Sequence, residues 1–331
     1  MTTPGPQAVF KRPIIRTSTL LVRMAVATAI VVYLFFKIGF RPSISAFLSA
    51  RKEYVIAAIM LVMGNQAVVA HRLKLLVEGQ GITISTFEMF KINLSSAFYA
   101  SFLPGGNVTG LAVRFYKISR PTRMYMATIV SLLADRLLAT LSLCAVGLTL
   151  CVFDPSVGSG SPLFLLLLST GILAGTFILL WSPPATERLG RVLAAIRCTW
   201  ASSSFEKAME AIGVFRKLSF RVIFRLISLS LLAHFLGIAC YFLLASALGL
   251  DVSLLSIGWI RSVVVLVTMI PVSVSGIGVR EVALVTLLSL FGVSAVQAVG
   301  YSLLVFGTTV LVVGLTGGLI DCKEWLFPRV A

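Results

Sequence analysis

Charge is what this sequence has least of. Charged residues make up 12% of its 331 residues, with 12 Asp and Glu and 2 His. A soluble domain carries about 25% charged and about 45–50% apolar residues, whereas here the hydrophobic share is 58%. That balance excludes a water-facing surface over most of the chain and points to a bilayer. Chemistry of the soluble kind has little to work with. His71 and His234 stand apart, and Cys144, Cys151, Cys198, Cys240 and Cys322 show no CxxC or metal-type spacing. The cysteines inside apolar runs read as small buried hydrophobes, and His234 reads as a satisfied core residue. There is no P-loop lysine, and Gly276-Ile277-Gly278 has no βαβ context for a dinucleotide fingerprint. The sequence therefore predicts no catalytic residue, no metal site and no cofactor.

The charge that is present is mainly positive, 28 Lys and Arg for a net +16. In a soluble protein this would suggest nucleic acid. Here the basic residues sit in short links between apolar runs, the bias of cytoplasmic loops, and such loops attract anionic lipid head groups. Membrane lipids are the expected partners, and nucleic acid is not.

A span needs about 20 mainly apolar residues. Stretches 17–38, 54–70, 124–153, 162–181, 226–250 and 294–320 meet that need, giving about six full transmembrane helices. The expected plan is one transmembrane domain, 17–320, between a tail at 1–16 and a tail at 321–331. A basic loop lies at 182–221. The basic segments before the first span, around 72–123 and across 182–221, belong in the cytoplasm, as do both termini. The links 154–161 and 251–253 lack Lys and Arg and belong outside. Lys37, Arg41, Arg51 and Lys52 fall on the outer side in this plan, against the same rule.

Two further apolar stretches, 82–120 and 254–292, are interrupted. The first reads Phe102-Leu103-Pro104-Gly105-Gly106-Asn107-Val108-Thr109-Gly110, with Arg114 following. The second reads Ile270-Pro271-Val272-Ser273-Val274-Ser275-Gly276-Ile277-Gly278-Val279-Arg280-Glu281. Proline removes a donor and clashes with the preceding turn, and broken backbone at membrane depth survives only inside protein or beside a wet cavity. By the loop charges, the first segment leaves and re-enters the cytoplasm, while the second leaves and re-enters the outer face. The fold class expected is thus an all-α membrane protein with two Pro/Gly-broken re-entrant helical pairs in an inverted-topology repeat. Interrupted segments at matching positions mark transport sites.

A helix restarting after such a break offers free N–H groups to a phosphate, and a following arginine adds a bidentate donor. Asp135-Arg136 inside the third span, Arg261, and Arg280-Glu281 are charges at depth, which pair with one another or mark a pathway. The candidate substrate-binding set is Pro104, Gly105, Gly106, Gly110, Arg114, Asp135, Arg136, Arg261, Pro271, Ser273, Gly276, Gly278, Arg280 and Glu281. Asp135 is expected to pair with Arg280 or Arg114, and Arg136 with Glu281. Gly314, Gly317 and Gly318 read as a close helix-packing face.

Asn93, the Phe102–Gly106 break with Gly110 and Arg114, Asp135-Arg136-Leu137-Leu138, and Pro271 through Glu281 with Gly292-Val293 occur in one order. Together they resemble the lysylphosphatidylglycerol synthase transmembrane-domain family, also called flippase-like. The family continues its Pro-Gly-Gly with an acid before the arginine, and Asn107-Val108-Thr109-Gly110-Leu111 carries none. The sequence ends at Ala331 without the soluble aminoacyl-transfer domain of two-domain synthases, so lysyl transfer is not implied. The resemblance implies movement of a lipid or lipid-linked head group between leaflets of the cell membrane. Arg114 and Arg280 would hold its phosphate from opposite faces. Two alternatives stand beside it. One is a non-transporting membrane partner of a glycosyltransferase or lipid-modifying enzyme, docking on 182–221. The other is an intramembrane lipid-modifying transferase using Asp135, Glu281 or His234.

Overall fold

The computed structural model describes residues 45, 48–103, 106–156, 161–182, 184, 209–269 and 276–326. The expected span 17–38, the tail 1–16, most of the basic loop and the end of the C-terminal tail lie outside the described residues. So do Pro104, Gly105, Pro271 and Ser273 of the candidate set.

All regular structure among the described residues is helical. In chain order it comprises α1 (Lys52–Gly79), α2 (Thr86–Phe102), α3 (Asn107–Thr122), α4 (Tyr125–Phe153), α5 (Ser161–Trp181), α6 (Phe220–Ala247), α7 (Leu254–Met269), α8 (Val279–Ser289), α9 (Ala295–Phe306) and α10 (Val312–Leu326). The π-helical stretch Gly307–Leu311 joins α9 to α10 without interruption. Four of these stretches are long and apolar enough to cross a membrane: α1, α4, α6 and the composite Ala295–Lys323. In lipid each backbone polar group must be satisfied internally, which is why such Leu-, Val- and Ala-rich segments take up helix.

The breaks fall where the sequence placed them. α2 and α3 meet at Gly106, whose φ of 53° with ψ of −125° lies in a region open to glycine and not to residues that bear a β-carbon. α7 and α8 meet across a break that ends in Gly276 and Gly278, both at positive φ. The span expected at 54–70 differs from expectation. It continues past Ala70 to Gly79, because Lys74 pairs with Glu78 at 2.9 Å along the helix and Arg72 finds a buried carboxylate.

α1 and α6 are both 28 residues long. Each ends in a Schellman turn, with Gly81 and Gly249 at positive φ. The Ile82 amide donates to the Val77 carbonyl, and the Leu250 amide to the Ala245 carbonyl. The same residue offset relates their starts (220 − 52 = 168), their ends (247 − 79 = 168), these glycines (249 − 81 = 168) and the starts of the helices that follow (254 − 86 = 168).

The two helices pack antiparallel along their length. The Arg51 amide before α1 donates to the Ala247 carbonyl at the end of α6 (3.0 Å). At the other end, Gln80 donates to the Ala211 carbonyl ahead of α6 (2.7 Å). The remaining packing exchanges partners: α2 lies against α10, and α7 against α4.

Glycines set both exchanged contacts. A β-carbon on Gly317 of α10 would fall on the Leu94 carbonyl of α2, and one on Gly147 of α4 would stand 2.5 Å from the Ser262 β-carbon of α7. Gly314 and Gly318 face Phe102 and Phe98, so the expected close-packing face of the last span is present. Van der Waals packing of small residues is the main attraction between helices in lipid.

At the end of α4, buried Asp154 accepts from Ser256 Oγ (2.6 Å), Trp259 Nε1 (2.8 Å) and the Ser156 amide (3.0 Å), pinning the start of α7. Burial pushes this carboxyl up, but the donated hydrogen bonds outweigh burial and hold it below the usual carboxylate value.

Candidate functional site

A half-open cavity of about 210 Å³ sits beside the first break. Gln66 of α1, Ser96 of α2, Asn107 and Arg114 of α3, Arg136 of α4 and Thr309 of the π-helical stretch give it its polar lining. Gly110 shapes it. A β-carbon there would lie 2.8 Å from both the Ser96 carbonyl and the Ala100 β-carbon, so only glycine lets α3 settle this close to α2. One turn later, on the same face, Arg114 donates through Nε (3.2 Å) and Nη2 (3.0 Å) to Ser96 Oγ. Arg136, near the middle of α4, is exposed to the cavity.

The last wall is the π-helical stretch. One added residue in the turn displaces the hydrogen-bond ladder locally, and such bulges recur at functional sites. Here it delivers Thr309 and Val310 to the cavity.

Asp135 and Arg136 diverge, as adjacent residues on a helix must. Asp135 turns away from the cavity and accepts from Arg72 Nε at 2.8 Å, while Arg72 Nη1 donates to Ser230 Oγ at 3.2 Å. The expected pairing of Asp135 with Arg280 or Arg114 is therefore corrected. Its partner comes from α1, which reaches it because that helix runs on through Arg72.

The expected pairing of Arg136 with Glu281 is corrected as well. Glu281 folds back on its own helix start, accepting from the Gly278 amide (2.5 Å), from Arg280 Nη2 (2.6 Å) and from Ser302 Oγ (2.9 Å). Arg280 also donates to Ser302 (3.1 Å), and its guanidinium stands 4.8 Å from the Phe306 ring centroid. Arg280 and Glu281, 5% and 7% exposed, thus form a closed ion pair, and neither lines the cavity.

Arg261 lies elsewhere again. Its guanidinium packs on Gly237 of α6, 5.6 Å from the Tyr241 ring centroid, and its Nε and Nη1 are buried without a hydrogen bond.

Of the described candidates, the structure brings Gly110, Arg114 and Arg136 together at one cavity, with Gly106 capping the helix that carries two of them. It sets Asp135 behind them and keeps Arg261, Arg280 and Glu281 apart. His234 contacts Ser142 Oγ (2.9 Å) and the Ala139 carbonyl (3.1 Å), a satisfied core residue as expected. Three participants were missed. Arg72 was placed in the basic stretch that follows a span, on the cytoplasmic side. Gln66 holds Asn93 Nδ2 at 2.7 Å and was hidden in an apolar run. Thr309 reaches the cavity through a bulge that no residue type announces.

A further arrangement flanks this site. Asp321 of α10 accepts from Ser95 Oγ of α2 (2.8 Å) and pairs with Lys117 Nζ of α3 (2.5 Å). It ties both arms of the first broken pair to the last span.

The family model described as lysylphosphatidylglycerol synthase TM region matches residues 20–317. No curated protein matches the chain.

Proposed function

The chain belongs to the lysylphosphatidylglycerol synthase TM region family, and on that premise we propose that it moves a lipid or lipid-linked head group between leaflets of the cell membrane. The observation that carries this reading is the cavity. Two arginines and a set of neutral donors surround a half-open space beside a broken helix. At about 210 Å³ it falls below the roughly 300–1,000 Å³ of sites that engulf a whole small molecule. A polar head fits such a space while its chains remain in lipid. Arg114 and Arg136 bind the phosphate, and Ser96, Asn107 and Thr309 replace water around it.

The alternating route follows from an inverted-topology repeat, which we propose for the two halves. It is supported by the constant offset of 168, the antiparallel packing of α1 on α6, and the exchanged contacts of α2 with α10 and α7 with α4. Repeats related by an axis in the membrane plane open to opposite sides by rocking about a fixed midplane site. Both termini are cytoplasmic in this plan.

The role is not enzymatic in this reading. A lipid-modifying transferase needs a base at the cavity, and Asp135, Glu281 and His234 are each committed to other partners. Proteoliposomes test the proposal. Protein-dependent exposure of inner-leaflet fluorescent phospholipid to an impermeant quencher is expected. Its absence from folded, oriented protein would favour a non-transporting partner of a glycosyltransferase or lipid-modifying enzyme.

A further inference from the structure

The charges around the cavity do not cancel, and this narrows the ligand. Four ionisable side chains cluster here: Arg72, Asp135, Arg114 and Arg136. The charge of Asp135 reaches Arg114, but its oxygen is already bound by Arg72 at 2.8 Å, so this pair is internally neutral. Among the described residues Arg114 donates to the Ser96 hydroxyl, and neither it nor Arg136 meets a carboxylate in an ion pair. The lining itself contains no Asp or Glu.

The other arginine on a restarting helix is treated differently. Arg280 is neutralised by the adjacent Glu281 and closed off by Ser302. The cavity at the first break therefore holds two positive charges, whereas the Arg280–Glu281 pair is neutral.

Two uncompensated guanidinium groups at membrane depth are costly, and a single phosphodiester would neutralise only one of them. Resting on the translocation reading, we propose that the cavity takes a phosphate group bearing two negative charges, a phosphate monoester or a diphosphate, rather than a phosphodiester head. Arg114 comes from the α3 side and Arg136 from α4, so each can hold a separate edge of such a group. A planar guanidinium binds phosphate oxygens in bidentate fashion. The neutral Ser96, Asn107, Gln66 and Thr309 suit the remaining oxygens.

The test is ligand-dependent melting of the full chain in a neutral detergent at pH 8, where a phosphate monoester carries close to two charges. The probes are phosphatidic acid, a prenyl diphosphate, phosphatidylglycerol, and inorganic diphosphate. The proteins are wild type, Arg136→Gln and Arg114→Gln, with proteoliposome scrambling measured in parallel. Arg136 is exposed, so its glutamine variant is expected to fold normally.

The expected result is that phosphatidic acid and prenyl diphosphate bind about tenfold or more tightly than phosphatidylglycerol. Each glutamine variant should erase that preference. Equal binding of all three lipids, with scrambling intact and lost in the variants, overturns the two-charge assignment and leaves the translocation reading standing. Lipid binding with the predicted preference but no scrambling by any lipid supports the two-charge site and overturns the translocation reading. Inorganic diphosphate binding as tightly as its prenyl ester supports two charges with a free anion as the occupant. Binding indifferent to both substitutions overturns the site itself.

Discussion

Arg72 Nε and Asp135 Oδ1 meet at 2.8 Å, with side chains 3% and 6% exposed, and the pair joins α1 to α4 while Ser230 brings in α6. It stands directly behind the two cavity arginines and removes Asp135 from their charge balance. The pair is thus a condition of the site as well as of the fold.

Removing one member leaves a buried charge unpaired, which costs on the order of 3–5 kcal/mol. Arg72→Ala and Asp135→Ala should each lower the detergent melting temperature strongly or abolish expression. The double variant Arg72→Met with Asp135→Leu should recover much of the loss, since apolar replacement of a buried pair is often neutral. A fully stable Asp135→Ala protein would remove the pair from this account.

Arg280 separates from Arg136 by the same reasoning. Arg280→Ala exposes Glu281 unpaired beside Ser302, and a similar loss of about 3–5 kcal/mol is expected in thermal unfolding. Arg136→Gln should not lower the melting temperature, because it breaks no buried ion pair and removes a charge that the cavity does not compensate. Equal destabilisation by the two substitutions would contradict the distinction between a closed ion pair and an open cavity residue.

Asp154 gives a pH dependence. Its folded-state carboxyl titrates below the ordinary value of 3.8, so its stabilisation is fully present above that value and is lost as pH falls through the folded one. Between neutral pH and pH 5 this residue should contribute no slope to stability. Below about pH 4 a loss should appear that Asp154→Asn lacks. A variant whose acid limb matches wild type would show that Asp154 does not hold the start of α7.

The repeat predicts sidedness. Thr83 and Asp251 are exposed residues of equivalent links (251 − 83 = 168), one after each of the antiparallel helices α1 and α6. In a background with Cys144, Cys151, Cys198, Cys240 and Cys322 replaced, Thr83→Cys should react with an impermeant thiol reagent only from the cytoplasmic side. Asp251→Cys should react only from outside. Labelling of both from one side would defeat the inverted repeat.

Much of this architecture was legible in the residues, and the reason differs from part to part. Span positions follow from hydropathy because lipid admits few alternatives to helix. The two breaks follow from proline and glycine, and Gly110 and Arg114 follow from their spacing on one turn. Partner choice was not legible. The capping role of Glu281 depends on a side chain folding back on its own helix start, and Arg72 reaches Asp135 only because α1 outlasts its apolar run. The π-helical stretch Gly307–Leu311 carries Thr309 to the cavity. No local propensity marks it.

The most direct test is scrambling of fluorescent phosphatidic acid by matched amounts of folded wild-type, Arg114→Gln and Arg136→Gln protein in proteoliposomes. The account predicts protein-dependent translocation by wild type and its loss, by about tenfold or more, in both variants, since each removes a charge-assisted phosphate contact. Undiminished translocation by both variants, at equal folded yield, would contradict the claim that this cavity carries the head group.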